Sequence, residues 1–434
     1  MINGHRRRLV GWLTALWLGI ALMAWADPTL AQDVTASARV KSSVVIRAQP
    51  NGAAPAIGAL HPGDRLKLQA DRDGWRGVVL GDGRTGYVSK SWTTVLEAVA
   101  QSTFKIHVVD VGTGLALFVE GPDFTLVYDG GSNDDLARGA GNRLIAYLRK
   151  VRPDLTSIDH VILSHPHRDH VELLADLIGA YQIRNVWDSG ALNPICGYRA
   201  FLGAIAARPG VAYHDAIGGL GQRTVHFSAA PCYGAALPDE DITLTEASRI
   251  TPAPVALGQG AQMTFLYIDA SPHSDFNENS LVTRLDLGPV RILFPGDAEA
   301  GARRTPTNAP DSGSIEAALL ACCAAQLHAD ILIAGHHGSM TSSRASFLDA
   351  VGAKTFVISS GPTKYGSVTL PDQAVVEEMT ARGTVWRTDV DDAACAAKAA
   401  KIGPDADGKA GGCDNILLTV TGGTLAVSDQ HISD

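Results

Sequence analysis

Three histidines and one aspartate are packed into a single short stretch, Ser164-His165-Pro166-His167-Arg168-Asp169-His170. Imidazole nitrogen and carboxylate oxygen are the donors that a borderline divalent cation prefers. One histidine at a strand end is ordinarily a hydrogen-bonded surface residue. Three within six residues, with a carboxylate among them, point to metal. The flanking residues say how the group is positioned. Ile158 to Leu163 reads as a strand ending in a compact apolar run, and Val171 to Ile178 has helical spacing. The donors thus occupy a strand-to-helix turn, in which Pro166 biases His165 towards extended backbone.

Two later stretches repeat the arrangement of a buried strand running into donors. Arg291 to Phe294 leads into Pro295-Gly296-Asp297, and Ile331 to Ile333 leads through Ala334-Gly335 into His336-His337-Gly338-Ser339. Loops that follow adjacent strands of an open sheet converge at one edge, where sites form. Together the three stretches hold enough donors for two cations, with Asp297 able to bridge them. Such ions lower the pKa of bound water towards neutrality, so that hydroxide is available without a strong side-chain base. Asp169 is then the residue expected to orient that nucleophile and shuttle its proton.

Strand–His-x-His-x-Asp-His–helix, then Gly-Asp, then His-His-Gly-Ser resembles the metallo-β-lactamase fold. More narrowly, the chain is similar to the extracellular hydrolase domain of ComEC-type DNA-uptake proteins. Asp110-Val111-Gly112-Thr113-Gly114, Asn277-Glu278-Asn279-Ser280-Leu281-Val282 and His336 through Ser343 support that narrower likeness, which covers residues 103–392. The resemblance implies an α/β fold, an αββα sandwich, with two divalent metal ions, usually zinc and otherwise manganese. It implies His165 and His167 on the first ion, Asp169 and His170 on the second, and Asp297 between them. One of His336 and His337 completes the second site, and Asp129 lies beneath as a structural residue. It further implies hydrolysis of a phosphodiester, small or polymeric, in nucleic acid or a phosphorylated wall polymer. The chain departs from the pattern in places. Where relatives often carry a further histidine it reads Leu266-Tyr267-Ile268-Asp269, with His273 beyond. Leu115 replaces a common acidic residue, Val171-Glu172 a glycine pair, and Tyr365-Gly366-Ser367 a Tyr-Gly-His stretch. The membrane channel of a DNA-uptake protein is not legible, so a transport role is not implied. Two rival readings are an ester, lactone or β-lactam hydrolase using the same site, and a non-catalytic wall-binding protein with a degenerate hydrolase domain.

Apolar residues make up 46% of the 434 and charged residues 19%, as in an ordinary globular chain. A net charge of −9 excludes an overall basic field of the kind that marks nucleic-acid or anionic-membrane binders. Residues 1–31 read as a signal peptide: Arg6-Arg7-Arg8, an apolar run from Leu9 to Trp25, then small residues before cleavage after Ala26 or Ala31. The alternative is an uncleaved anchor. Cleavage after Ala31 removes three arginines and one aspartate, taking the charge to −11. The expected location is periplasmic or secreted, with no membrane span left after cleavage. Six cysteines suit an oxidising compartment, with Cys395 and Cys413 placed to staple one loop and Cys322-Cys323 not expected to bond each other. Residues 38–97 read as short strands between Gly-rich turns, a small all-β barrel preceding the sandwich. Its Ile-Arg-Ala-Gln-Pro, Asp-Gly-Trp and Gly-Tyr-Val stretches resemble a bacterial SH3-like domain, which implies either cell-wall contact or a spacer. The hydrolase domain is expected over 103–392, with 393–434 as its strand and loop extension. Residues 209–260 are poorly periodic and are expected to form loops over the site.

Overall fold

The computed structural model describes residues 33–81, 83–96, 102–133, 139, 142–218, 221–361, 363–389 and 415–430. The signal-peptide stretch and the Cys395–Cys413 segment lie outside the described residues. The chain divides into two compact units, Met1–Ala98 and Val99–Asp434. In the first, seven short strands from Asp33–Ala36 to Thr93–Leu96 form one antiparallel sheet. Its small core is Val34, Val44, Ile46, Leu60, Val78 and Val88.

The second unit stacks two sheets, of ten and seven strands, with helices on their outer faces. Apolar side chains on both faces of a strand explain the layering. In Ser157–Leu163, Val161 and Leu163 face the helices Arg143–Val151, Leu174–Ala180 and Cys196–Ala206, while Ile162 faces the other sheet. Val290–Phe294 splits likewise, with Ile292 and Phe294 between the sheets and Leu293 against the helices Ile315–Cys323 and Ala345–Val351. Strands buried on both faces read as continuous apolar runs. Each such side chain contributes roughly 1.5–3 kcal/mol, so Ile162→Asp would place an unpaired charge at the middle of the sandwich.

Residues 209–260 correct the expectation of loops. Gly221–Phe227 and Glu240–Arg249 pair antiparallel at one edge of the ten-stranded sheet, beside Ala212–Asp215. Val225, Phe227, Ile242 and Leu244 point inward and alternate with outward polar residues, the period of a half-buried strand. At the other edge, Asn415–Thr421 pairs with Thr103–Val108 and turns into Thr424–Gln430. Cys196 and Cys232 form a disulfide that ties the start of the helix Cys196–Ala206 to the strand Ala230–Cys232. Cys322 and Cys323 are also joined, against the sequence expectation: both lie at the end of the helix Ile315–Cys323, where the chain changes to a 3-10 turn. No helix among the described residues is long and apolar enough to cross a membrane.

Candidate metal centre

The strand Ser157–Leu163 delivers the first histidine cluster to the end of the ten-stranded sheet, and Val290–Phe294 and Ile331–Ile333 deliver Asp297 and the His336-His337 pair. The loops are joined by backbone bonds, His336 N–H to Gly296 O at 3.1 Å and Leu281 N–H to Ser164 O at 2.9 Å. A second clamp is the loop after Thr103–Val108. Leu115 N–H donates to Asp169 O at 3.0 Å, and the Ser359 hydroxyl donates to Gly114 O at 2.8 Å. Gly131 packs so tightly under the cluster that a Cβ there would lie 2.1 Å from the Asp169 carbonyl carbon and His170 nitrogen. His336 and His337 both take left-handed backbone, φ 49° and 52°. Such a conformation costs of order 1–3 kcal/mol per non-glycine residue, and here it turns His337 inward.

His170 stands at the centre. Its Nδ1 lies 2.8 Å from Asp129 Oδ2. A carboxylate only accepts, so Nδ1 carries the proton and Nε2 of the neutral ring carries a lone pair. His337 Nδ1 lies 2.8 Å from the Ser359 carbonyl, which fixes the same tautomer. The two lone pairs then face each other across 3.2 Å. Either a divalent ion on both nitrogens or a proton on His170 Nε2 shared with His337 makes that arrangement attractive. Two nitrogens on one tetrahedral zinc are roughly 3.3 Å apart, by the 2.0–2.1 Å bond length. Asp297 Oδ1 is 3.2 Å from His170 Nε2, and Asp169 Oδ2 is 3.6 Å from His337 Nε2. Two carboxylates converging on the Nε2 atoms of two buried histidines fit a bound ion.

Charge follows the same logic. Burial opposes ionisation of Asp297 and of Asp169, but His170 and His337 outweigh it and hold both below the usual carboxylate range. Burial likewise opposes charge on His170, yet Asp297 and Asp129 lift its pKa well above the ordinary value. Without a metal, the cage charges His170 instead. Burial pushes His165 well down and His337 down.

Two buried groups therefore come together: His165 with His170 and Asp297, and Asp169 with His170 and His337. His165 Nε2 faces His167 Nδ1 at 3.1 Å and Asp297 Oδ2 at 3.8 Å, bringing His167 to the mouth of the first group. His336 stays at the rim, its Nε2 3.8 Å from Asp297 and its Nδ1 bonded to Thr341 and paired with Glu299 at 3.0 Å. Of the two adjacent histidines, His337 is the one turned into the cage. Asp129 lies beneath, accepting also from Ser164 N–H at 2.6 Å and the Ser164 hydroxyl at 2.7 Å. Tyr267, Asp269 and His273 bond among themselves and do not line the cavity.

That cavity, about 540 Å³, opens over His167, Asp169, Asp297 and His336. Several of its residues escaped sequence reasoning. Asp275 lies 3.8 Å from His167 Nε2. The Tyr365 hydroxyl donates to Asp169, and Asn133 donates to Asp169 at 3.2 Å and to Tyr365 at 2.9 Å. Arg303 and Arg168 add positive charge to the wall. The one signal at these positions was Tyr365-Gly366-Ser367, set apart as a departure from a family stretch.

Comparison with known proteins agrees with this architecture. The model of the metallo-beta-lactamase superfamily matches residues 109–361. Competence protein ComA of Neisseria gonorrhoeae is 30% identical over 132 residues, which is 30% of this chain and 17% of that protein. The chain thus spans about a sixth of the length of that curated relative. Among solved structures, the metallo-beta-lactamase fold protein YhfI from Bacillus subtilis matches 66% of the chain and 97% of its own at 14% identity, TM-score 0.38. CmlA, a diiron beta-hydroxylase from Streptomyces venezuelae, matches 69% and 54% at 14% identity, TM-score 0.36.

Proposed function

The chain belongs to the metallo-beta-lactamase superfamily, and from that premise we propose that it is an exported, metal-dependent hydrolase of phosphodiesters. The observation that carries the reading is the buried cage in which the Nε2 atoms of His170 and His337 converge with Asp297 and Asp169. His165, His167 and Asp297 would hold one ion; Asp169, His170, His337 and Asp297 the other. When bound, two divalent cations supply Lewis acidity towards phosphoryl oxygens and lower the pKa of water. The protein's own residues do the rest. Asp169, held by Tyr365 and Asn133, orients the attacking water and takes up its proton. Arg303, paired with Asp372, and Arg168 stand on the cavity wall where an anionic phosphodiester would meet them, which supports that substrate over an uncharged ester or lactone. Residues 1–31 and the Cys196–Cys232 disulfide support export to an oxidising compartment.

The test is a metal analysis of the exported protein together with turnover of a bis-aryl phosphodiester, a lactone and a β-lactam. Expected are about two ions per chain, preferred turnover of the phosphodiester, and loss of both metal and turnover in Asp297→Ala. Turnover that survives loss of the metal would refute the reading.

A further inference from the structure

The small first unit has a charge opposite to that of the whole chain. Between residues 33 and 96 there are nine lysines and arginines against five aspartates, a net +4 in a protein of net −9. A local reversal of this kind is an electrostatic footprint for an anionic partner. It is focused on one groove of about 480 Å³ lined by Arg39, Lys41, Arg47, Trp75 and Trp92, with small and aliphatic residues between them. Among the described residues, no carboxylate lines it. Trp92 is half exposed, and the Arg39 guanidinium sits 5.6 Å from its ring centroid. Flat aromatic faces interleaved with cations are what a flexible strand of bases and phosphates requires, since every base has a face to stack and every link a charge to pair.

We propose that this groove binds single-stranded nucleic acid, with bases stacking on Trp92 and Trp75 and phosphates meeting Arg39, Lys41 and Arg47. The choice of nucleic acid over another polyanion rests on the phosphodiesterase reading of the same chain. An acidic peptide would use the cations and leave the tryptophans idle.

The test uses the full-length chain in chelator, so that no strand is cut, and a fluorescein-labelled oligothymidine of about ten nucleotides. Trp92→Ala is expected to weaken binding at least about fivefold through lost stacking. The Arg39→Ala/Lys41→Ala double variant is expected to flatten the slope of log affinity against log salt by about 1.4, two contacts at roughly 0.7 each. These side chains are exposed, and thermal melts check that both variants fold. Absence of binding overturns the proposal, as does binding that both variants leave unchanged, or equal affinity for a polyglutamate peptide, a soluble wall peptide or anionic vesicles. Turnover of the bis-aryl phosphodiester by the metal-loaded protein is scored separately, and Trp92→Ala should not alter it. Failure of that turnover refutes the phosphodiesterase reading without touching the binding result.

Discussion

Asp129→Asn isolates the role of one buried carboxylate without changing its shape. Asp129 has φ +56°, a left-handed backbone that asparagine tolerates better than most residues. Its Oδ1 accepts the Ser164 N–H, a bond that only an oxygen can accept. The amide nitrogen of asparagine must therefore take the Oδ2 position, facing the Ser164 hydroxyl and His170 Nδ1. That NH2 now donates to Nδ1, the tautomer reverses, and His170 presents Nε2–H to the cage instead of a lone pair. Losing a carboxylate that orients a metal-bound imidazole typically costs 10–100-fold in metal affinity, which is about 1.4–2.7 kcal/mol at 1.36 kcal/mol per decade. The assay is competition for zinc against a chelator of known strength, with metal content and a thermal melt of the metal-free protein alongside. The expected outcome is a 10–100-fold loss with the fold retained. A folded variant that binds two ions at wild-type affinity would refute the tautomer argument.

Asp275→Ala removes the carboxylate beside His167 and should weaken the first ion by about tenfold, leaving the second unchanged; a two-step metal titration reads this. Metal affinity at the second site should rise with pH: burial opposes charge on His170, but Asp297 and Asp129 outweigh it and keep the ring protonated, and the ion held by His170 must displace that proton; calorimetry in buffers of different ionisation heat would detect its release. Glu120 is buried, which opposes its charge, but His107, Lys105 and Arg152 outweigh this and hold its pKa near 2 rather than 4.5. A carboxylate with a depressed folded pKa stabilises above its unfolded value. That stability is lost as pH falls from about 4.5 towards 2, by about 1–2 kcal/mol after solvent screening. Wild type and Glu120→Gln should accordingly differ in melting temperature at pH 7 and converge near pH 2.

Local features were legible in the letters and convergent ones were not. Val161-Ile162-Leu163 and Ile292-Leu293-Phe294 announce strands because both faces are buried, and three histidines in one turn need no distant partner to be noticed. Glu240–Arg249 escaped although Ile242 and Leu244 alternate with polar neighbours, because only two large apolar residues mark its inward face, within a segment, 209–260, otherwise rich in Gly, Ala and Pro. Asp275 and the Ser359 carbonyl act on histidines, and Asn133 on Asp169, at separations from 22 to over a hundred residues. No spacing rule links such positions. The choice between His336 and His337 lay in backbone torsions, since adjacent residues in a left-handed turn point in different directions. Adjacent cysteines misled for a similar reason: a prior against neighbours bonding could not see the helix end that brings Cys322 and Cys323 together.

The strand Asn415–Thr421 lies against Thr103–Val108, and its Asn415 side chain accepts the Asp110 backbone N–H. Thr103 and Thr421, 318 residues apart, end up with their hydroxyls 3.0 Å from each other. That edge of the ten-stranded sheet is therefore closed by a strand 318 residues further along. The loop-closure cost of so long-range a pairing must be met before its hydrogen bonds form, so the larger unit closes late in folding.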